Sequence, residues 1–81
     1  MQVRVRLGAG LSALSRAPSL TVDLDDGGTV DDLFARVRER EPDLAPALRS
    51  ALPVVAGEHV ARDRPLADLD EVALLLPISG G

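Results

Sequence analysis

One amphipathic helix limits what this chain can fold into. Four apolar residues recur at the i, i+3, i+4 and i+7 spacing of a single helix face: Val30, Leu33, Phe34 and Val37. Thr29 is a suitable N-cap for that helix, and Pro42 should end it near Arg40. Because no other segment has so regular a helical stripe, we expect the helix to bury its apolar face against strands.

Short apolar segments on both sides of the helix predict those strands. They alternate or run apolar over a few residues and are bounded by Gly, Pro or Asp: residues 1–7, 20–24, 53–60 (strand, turn and returning strand) and 71–76. Residues 11–16 could form a helical turn, and residues 43–52 a looser helical patch. This order contains no βαβ repeat for a doubly wound sheet. It predicts a single α+β domain over residues 1–81, a mixed sheet with one main helix across one face.

Composition excludes several classes of function. The net charge of −4 and the near absence of aromatic residues argue against binding to nucleic acid. The absence of Cys excludes disulfides, thiolate metal sites and cysteine nucleophiles. All nine basic residues are Arg, so no side chain can accept an isopeptide bond. The start of the chain does not resemble a signal sequence, and no apolar run approaches membrane-spanning length, so we expect a cytoplasmic protein without membrane contact.

Three apparent site motifs do not withstand inspection. Residues 8–13 match the dinucleotide pattern G-x-G-x-x-A, but Pro18 cuts short any helix there, and we interpret the segment as a loop. Residues 23–27 begin like a calcium loop, yet Phe34 stands where a bidentate Glu is required. His59 has no second His or Cys with which to share a metal. With no nucleophile–base pair either, we expect no bound cofactor or metal and no self-sufficient enzyme.

The end of the chain carries the one chemically suggestive group. Pro77 lacks a backbone N–H and should stop the strand at 71–76. Four residues without periodicity follow it: Ile78, Ser79, Gly80 and Gly81. We therefore expect a flexible tail at 77–81. Two glycines without Cβ atoms suit threading through a narrow channel, so the carboxylate of Gly81 is predicted to be the reacting group.

The whole chain resembles the MoaD/ThiS group of ubiquitin-like sulfur carriers, which share the β-grasp fold. Three segments carry the resemblance: Thr29-Val30-Asp31-Asp32-Leu33, Arg64-Pro65-Leu66-Ala67-Asp68-Leu69-Asp70-Glu71-Val72 and Leu76-Pro77-Ile78-Ser79-Gly80-Gly81. The Pro-containing end and the extra segment at 43–52 are more similar to MoaD, the small, sulfur-carrier subunit of molybdopterin synthase. Ala56 departs from the pattern, because these families commonly place Asn before Gly57. We therefore do not expect the same turn there.

The resemblance implies a chemistry in which partner proteins supply the catalytic side chains. A ubiquitin-activating-like adenylyltransferase (MoeB/ThiF-like) would use ATP to adenylate Gly81. The persulfide of a sulfur donor protein would then displace AMP and leave a thiocarboxylate. In the MoaD branch, the tail from Pro77 to Gly81 inserts into the large, MoaE-like subunit of molybdopterin synthase and donates sulfur to a pterin precursor in molybdenum cofactor biosynthesis. The chain would then be a carrier subunit of an enzyme complex.

Two alternatives stay open beside that reading. The same carrier chemistry could serve another acceptor, such as the thiazole of thiamine, cysteine or a secondary metabolite. The chain could also be a non-catalytic ubiquitin-like interaction domain in which Gly80-Gly81 is inert.

The last strand also predicts a surface that binds a partner. Three of its side chains alternate onto one side: Val72, Leu74 and Leu76. If the helix covers that side, Leu75 faces solvent and contributes to a docking patch with Val54 or Val55, whose phase the sequence leaves ambiguous. In the alternative arrangement, the segment at 43–52 covers Leu75.

Overall fold

The predicted helix lies across one face of a five-stranded sheet. The computed structural model describes residues 1–15 and 18–77. Its strands are β1 (Gln2–Leu7), β2 (Ser19–Asp23), β3 (Leu52–Val55), β4 (Glu58–His59) and β5 (Glu71–Leu75). Its α-helices are α1 (Ala9–Ser12), α2 (Val30–Arg40) and α3 (Ala45–Leu48), with a 3₁₀ helix at Pro42–Leu44 before α3. The α+β prediction is confirmed.

The strand order is β2-β1-β5-β3-β4, and the sheet is mixed as predicted. β1 pairs antiparallel with β2, as Val3 opposite Val22 shows, and parallel with β5, where Val5 lies opposite Val72. β3 pairs antiparallel with both β5 and β4. Because β1 and β5 run parallel, their C-terminal ends meet at one edge of the sheet. The segment after β1 and the segment after β5 therefore leave the sheet side by side.

The apolar core lies between α2 and the sheet. It collects the helical stripe, the inward side chains of the strands and the leucines of the short helices: Val3, Val5, Leu7, Leu11, Val22, Leu24, Val30, Leu33, Phe34, Val37, Leu44, Leu48, Ala51, Val55, Leu66, Val72 and Leu74. Phe34, the single aromatic residue, is fully buried there. Burial of the stripe at the predicted spacing is what holds α2 against the sheet.

A capping box starts α2 at the predicted residue. The hydroxyl of Thr29 accepts from the backbone N–H of Asp32 at 3.3 Å, and the Asp32 carboxylate accepts from the backbone N–H of Thr29 at 2.9 Å. Two N–H groups that the first turn leaves unpaired are thereby satisfied. The helix ends at Arg40, just before Pro42, also as predicted.

Two helical segments differ from their prediction. The patch at 43–52 does not continue as one helix: it divides into the 3₁₀ helix and α3, and Leu52 already belongs to β3. Leu52 precedes Pro53, whose ring disfavours helical backbone in the residue before it. α1 begins at Ala9, before the predicted turn at 11–16, so the glycine segment read as a loop is partly helical. In the described ranges no helix is long and apolar enough to cross a membrane.

The turn between β3 and β4 also corrects an expectation. Ala56 and Gly57 have φ values of +52° and +81°, and Val55 pairs with Glu58 across them. A two-residue hairpin loop with both φ values positive is the geometry for which Asn-Gly is preferred. The expectation that Ala56 would give a different turn was therefore wrong. The pairing also settles the phase of the hairpin.

Candidate functional site

The chain leaves the sheet at the end of β5, where the described residues of the predicted site lie. Leu75, the last residue of β5, is 41% exposed. Leu76 is partly buried against the core, and Pro77 is exposed. The remaining predicted site residues lie outside the described residues: Ile78, Ser79, Gly80 and Gly81. The flexibility of the tail and the reactivity of Gly81 accordingly stay predictions.

An exposed apolar strip lies beside this exit, on the sheet face opposite α2. Leu52 pairs with Leu75, and Val54 pairs with Ala73, so the side chains of each pair are in contact range across β3 and β5. Leu52 and Leu75 are 37% and 41% exposed, and the other two are half-buried. We call these four residues the apolar strip.

The sequence left two points open: which of Val54 and Val55 faces solvent, and whether the segment at 43–52 covers Leu75. Val54 belongs to the apolar strip, whereas Val55 is only 7% exposed and faces the core. The segment at 43–52 does not cover Leu75, since Leu44 and Leu48 are buried on the side of α2 and Leu52 lies beside Leu75 in the sheet. The predicted solvent exposure of Leu75 is confirmed.

A charged row borders the apolar strip on the same face. Arg4 and Arg6 of β1 lie 3.8 Å and 3.5 Å from the carboxylate of Glu71 in β5. All three side chains are largely solvent-exposed, so each pair contributes about 0–1 kcal/mol to stability. Two guanidinium groups thus share one carboxylate and keep N–H donors that face solvent.

Sequence reasoning missed the part that α1 plays at this exit. The backbone N–H of Gly8 donates to the carbonyl of Leu74 at 2.9 Å, which extends the parallel pairing beyond β1. The following turn of helix brings Gly10 against the side chain of Leu76. The signal in the sequence was the pair Gly8 and Gly10, but the dinucleotide pattern that they match does not indicate this packing.

The described residues around the exit form an exposed surface. Over residues 1–15 and 18–77, no group of three His, Cys, Asp or Glu side chains is arranged to hold a metal ion. His59 is exposed on β4. A shallow depression lined in part by Leu69 and Glu71 lies at the start of β5, away from the exit. This arrangement places an exposed apolar strip next to the point where the chain leaves β5.

Comparison with known proteins extends this picture over the whole chain. A model described as the ThiS family matches residues 5–81. The molybdopterin synthase sulfur carrier subunit of Chlamydomonas reinhardtii is 31% identical over 83 residues, which cover 100% of both chains. The crystal structure of SAMP1 from Haloferax volcanii aligns with a TM-score of 0.91 at 26% identity, again over 100% of both chains.

A third similarity is to a chain in an assembly. The complex of subunits 1 and 2 of molybdopterin-converting factor from Helicobacter pylori contains a chain that aligns with a TM-score of 0.73 at 22% identity, over 100% of both chains. These structural likenesses confirm the ubiquitin-like β-grasp fold predicted from the sequence.

Proposed function

The chain belongs to the ThiS family, and we propose that it is the sulfur-carrying small subunit of a molybdopterin synthase. It is a sulfur carrier of the MoaD/ThiS type. The observation that best supports a carrier function is the extent of the family match, which covers residues 5–81 and so includes Gly81, the residue proposed to react. The 31% identity to a molybdopterin synthase sulfur carrier subunit favours the pterin as acceptor.

The proposed chemistry activates Gly81 and then exchanges an oxygen for sulfur. On a MoeB/ThiF-like adenylyltransferase, the Gly81 carboxylate attacks the α-phosphorus of ATP and pyrophosphate leaves. The terminal sulfur of a persulfide on the donor protein then forms a C–S bond as AMP leaves. A partner thiol reduces the resulting acyl disulfide, which leaves a thiocarboxylate on Gly81 and a disulfide on the partner. The sequence contains no Cys, so every thiol in this scheme comes from a partner.

The proposed partner for delivery is a MoaE-like large subunit of molybdopterin synthase, in a heterotetramer of two chains of each kind. The apolar strip lies directly beside Pro77, so a subunit that docks there stands at the point where the tail departs. Its contact surface should offer apolar side chains to the strip and a carboxylate to Arg4 and Arg6. Ser79 and the two terminal glycines would thread inward beyond Ile78. Fully extended, the four residues from Ile78 to Gly81 span about 13 Å, at about 3.3 Å each.

Removal of the terminal residue tests this function. The chain without Gly81, and the chain extended by one residue after Gly81, should both fold and yet accept no sulfur. Wild-type chain incubated with an adenylyltransferase, ATP and a persulfide donor should gain the mass difference between sulfur and oxygen, measured on the intact protein. It should then form dithiolene product with the large subunit and the pterin precursor. Ser79→Ala keeps the length of the tail and serves as the matched control.

Two results would contradict the proposal in different ways. Sulfur incorporation into the chain that lacks Gly81 would exclude Gly81 as the reacting residue. If the wild-type thiocarboxylate gave no dithiolene but were consumed by a thiazole synthase, the carrier chemistry would stand and the molybdopterin assignment would be wrong.

One observation favours a second candidate. The likeness to SAMP1 is equally complete in coverage, and related chains of that kind are named small archaeal modifier proteins. In this candidate, an amine of another protein attacks the activated carboxyl group of Gly81, an amide bond forms and AMP leaves. Mass spectrometry of tryptic peptides from cells that express the chain would detect Gly81 joined to a protein amine, which the molybdopterin assignment does not predict.

A further inference from the structure

Helix α1 packs against the exit of β5 more closely than a side chain would allow. A Cβ added at Gly10 would lie 2.6 Å from Cδ1 of Leu76. One added at Gly8 would lie 2.9 Å from Cδ2 of Leu75 and 3.1 Å from the carbonyl oxygen of Leu74. Gly8 has a φ of −67°, which any residue can adopt, so its backbone conformation does not require glycine. Close approach to Leu74 and Leu75, the last residues of β5, is what leaves little room for a side chain there.

These contacts define where the chain leaves the sheet. The N–H of Gly8 holds the Leu74 carbonyl at 2.9 Å, and Gly10 forms the surface on which the Leu76 side chain lies. Leu76 directly precedes Pro77. The proline ring disfavours helical backbone at Leu76 and holds the φ of Pro77 at about −65°. These contacts and the proline ring together restrict the direction of the Leu76–Pro77 bond relative to the apolar strip.

We propose that Gly8 and Gly10 are positioning residues for the C-terminal carboxylate. By letting α1 lie against Leu75 and Leu76, they set the direction in which the chain departs at Pro77. This inference rests on the proposed function, in which a partner docks on the apolar strip and must meet Gly81 at its reactive site. A misdirected tail leaves the docking surface intact but brings the carboxylate to that site less often. It therefore lowers kcat and leaves KM for the carrier almost unchanged.

Gly10→Ala is the variant that tests the proposal. Its new methyl group meets the end of a flexible leucine side chain rather than backbone, so the domain should fold while Leu76 is displaced. With an adenylyltransferase that accepts the wild-type chain, measured by ATP–pyrophosphate exchange, we expect kcat to fall by about 10-fold or more. KM for the carrier should stay within about 2-fold. A purely structural defect would instead lower the folded fraction and act through the effective carrier concentration.

Two further variants separate positioning from stability. Gly57→Ala is the matched control, because its φ of +81° strains alanine while no atom lies within 4 Å, and its turn is at the opposite end of β3 from Leu52. It should lower the free energy of unfolding and leave kcat unchanged. Adding Leu76→Val to Gly10→Ala removes the Cδ1 atom of the close contact, while the contacts at 3.6 Å and 3.8 Å from Cγ and Cβ are ordinary. This pair should recover most of kcat.

Nuclear magnetic resonance gives a readout that does not depend on the reaction. Gly10→Ala should shift the Leu76 methyl resonances and the residual dipolar couplings of Leu76, whereas Gly57→Ala should leave both unchanged. The positioning role is wrong if these signals do not move, if Gly10→Ala keeps the wild-type kcat, or if Gly57→Ala loses as much. If no adenylyltransferase or sulfur donor acts on the wild-type chain, the proposed function fails, and the resonance data still decide whether the glycines position Leu76.

Discussion

At the scale of single residues, Ala56 holds a backbone conformation that another side chain would adopt at lower cost. Its φ of +52° puts an L-residue with a Cβ in the left-handed region, at about 1–2 kcal/mol. Asn visits that region readily, so Ala56→Asn should raise the free energy of unfolding by about 1 kcal/mol, measured by urea denaturation. Ala61→Asn, at an exposed residue without positive φ, is the control. An equal gain in both variants would show that the turn geometry is not the cause.

Ala56 also shows where residue preference fails as a guide. The sequence predicted no such turn because alanine has little preference for positive φ. The register of the hairpin decides instead: with Val55 opposite Glu58, only two residues remain to connect β3 and β4. The twist of the strands then favours a type I′ or II′ turn, and the turn here has the positive φ at both residues that type I′ requires. Leu69, in the turn before β5, is a second non-glycine residue with positive φ, at +71°. Cross-strand pairing, which a single sequence does not display, overrides the local preference.

At the scale of elements, the predictions succeeded where a period is written in the residues themselves. The stripe and the Thr29 N-cap of α2 and the alternation in β1 are local, and both elements appear within a residue or so of their predicted bounds. The segment at 43–52 failed because its leucine spacing of four continues to Leu52, past the end of α3 at Leu48. The following Pro53 disfavours helix at Leu52, and pairing with β5 then completes a strand.

The exposed side of β5 carries a prediction about partner binding. Leu75→Arg should weaken binding of a MoaE-like subunit by about 10-fold or more, measured by calorimetry, since it places a charge in the apolar strip, at the end nearest the tail. The free energy of unfolding should change by about 1 kcal/mol or less, because Leu75 is 41% exposed. Leu14→Arg is the matched control. Leu14 is 51% exposed. The next residue, Ser15, donates to the carboxylate of Glu41 at the end of α2, so this part of the chain lies on the α2 side of the sheet.

Either of two outcomes would contradict that prediction. Unfolding of Leu75→Arg would mean that the strip is part of the core rather than a docking surface. Equal loss of binding in Leu14→Arg would mean that general charge, and not the strip, governs association.

At the scale of the whole molecule, the site depends on a contact between the two ends of the chain. Parallel pairing of β1 with β5 brings Gly8 beside Leu75, although more than sixty residues separate them in the sequence. Hydrophobic periodicity assigns each strand a face but does not say which strand lies next to it. The sequence therefore predicted the exposure of Leu75 and the end of the last strand before Pro77, but not the packing of α1 on the exit.

The side chain of Arg62 connects the loop before β5 with both α2 and α3, and this contact yields a prediction about stability. The Arg62 guanidinium lies 4.0 Å from the centroid of the Phe34 ring, donates to the carbonyl of Leu48 at 3.2 Å and lies 3.7 Å from the carboxylate of Asp31. Lysine keeps the charge, but it lacks the planar group that stacks on the ring while one nitrogen donates to the Leu48 carbonyl and another faces the Asp31 carboxylate. Arg62→Lys should therefore lower the free energy of unfolding by about 1–3 kcal/mol, measured by urea denaturation.

Arg36→Lys, which disturbs an exposed pair with Glu39, is the control and should change the free energy of unfolding by about 0.5 kcal/mol or less. Equal losses in the two variants would show that Arg62 acts only as a surface charge, whereas a loss confined to Arg62→Lys, with sulfur acceptance by the folded fraction unchanged, would separate the stability of the fold from the chemistry at its end.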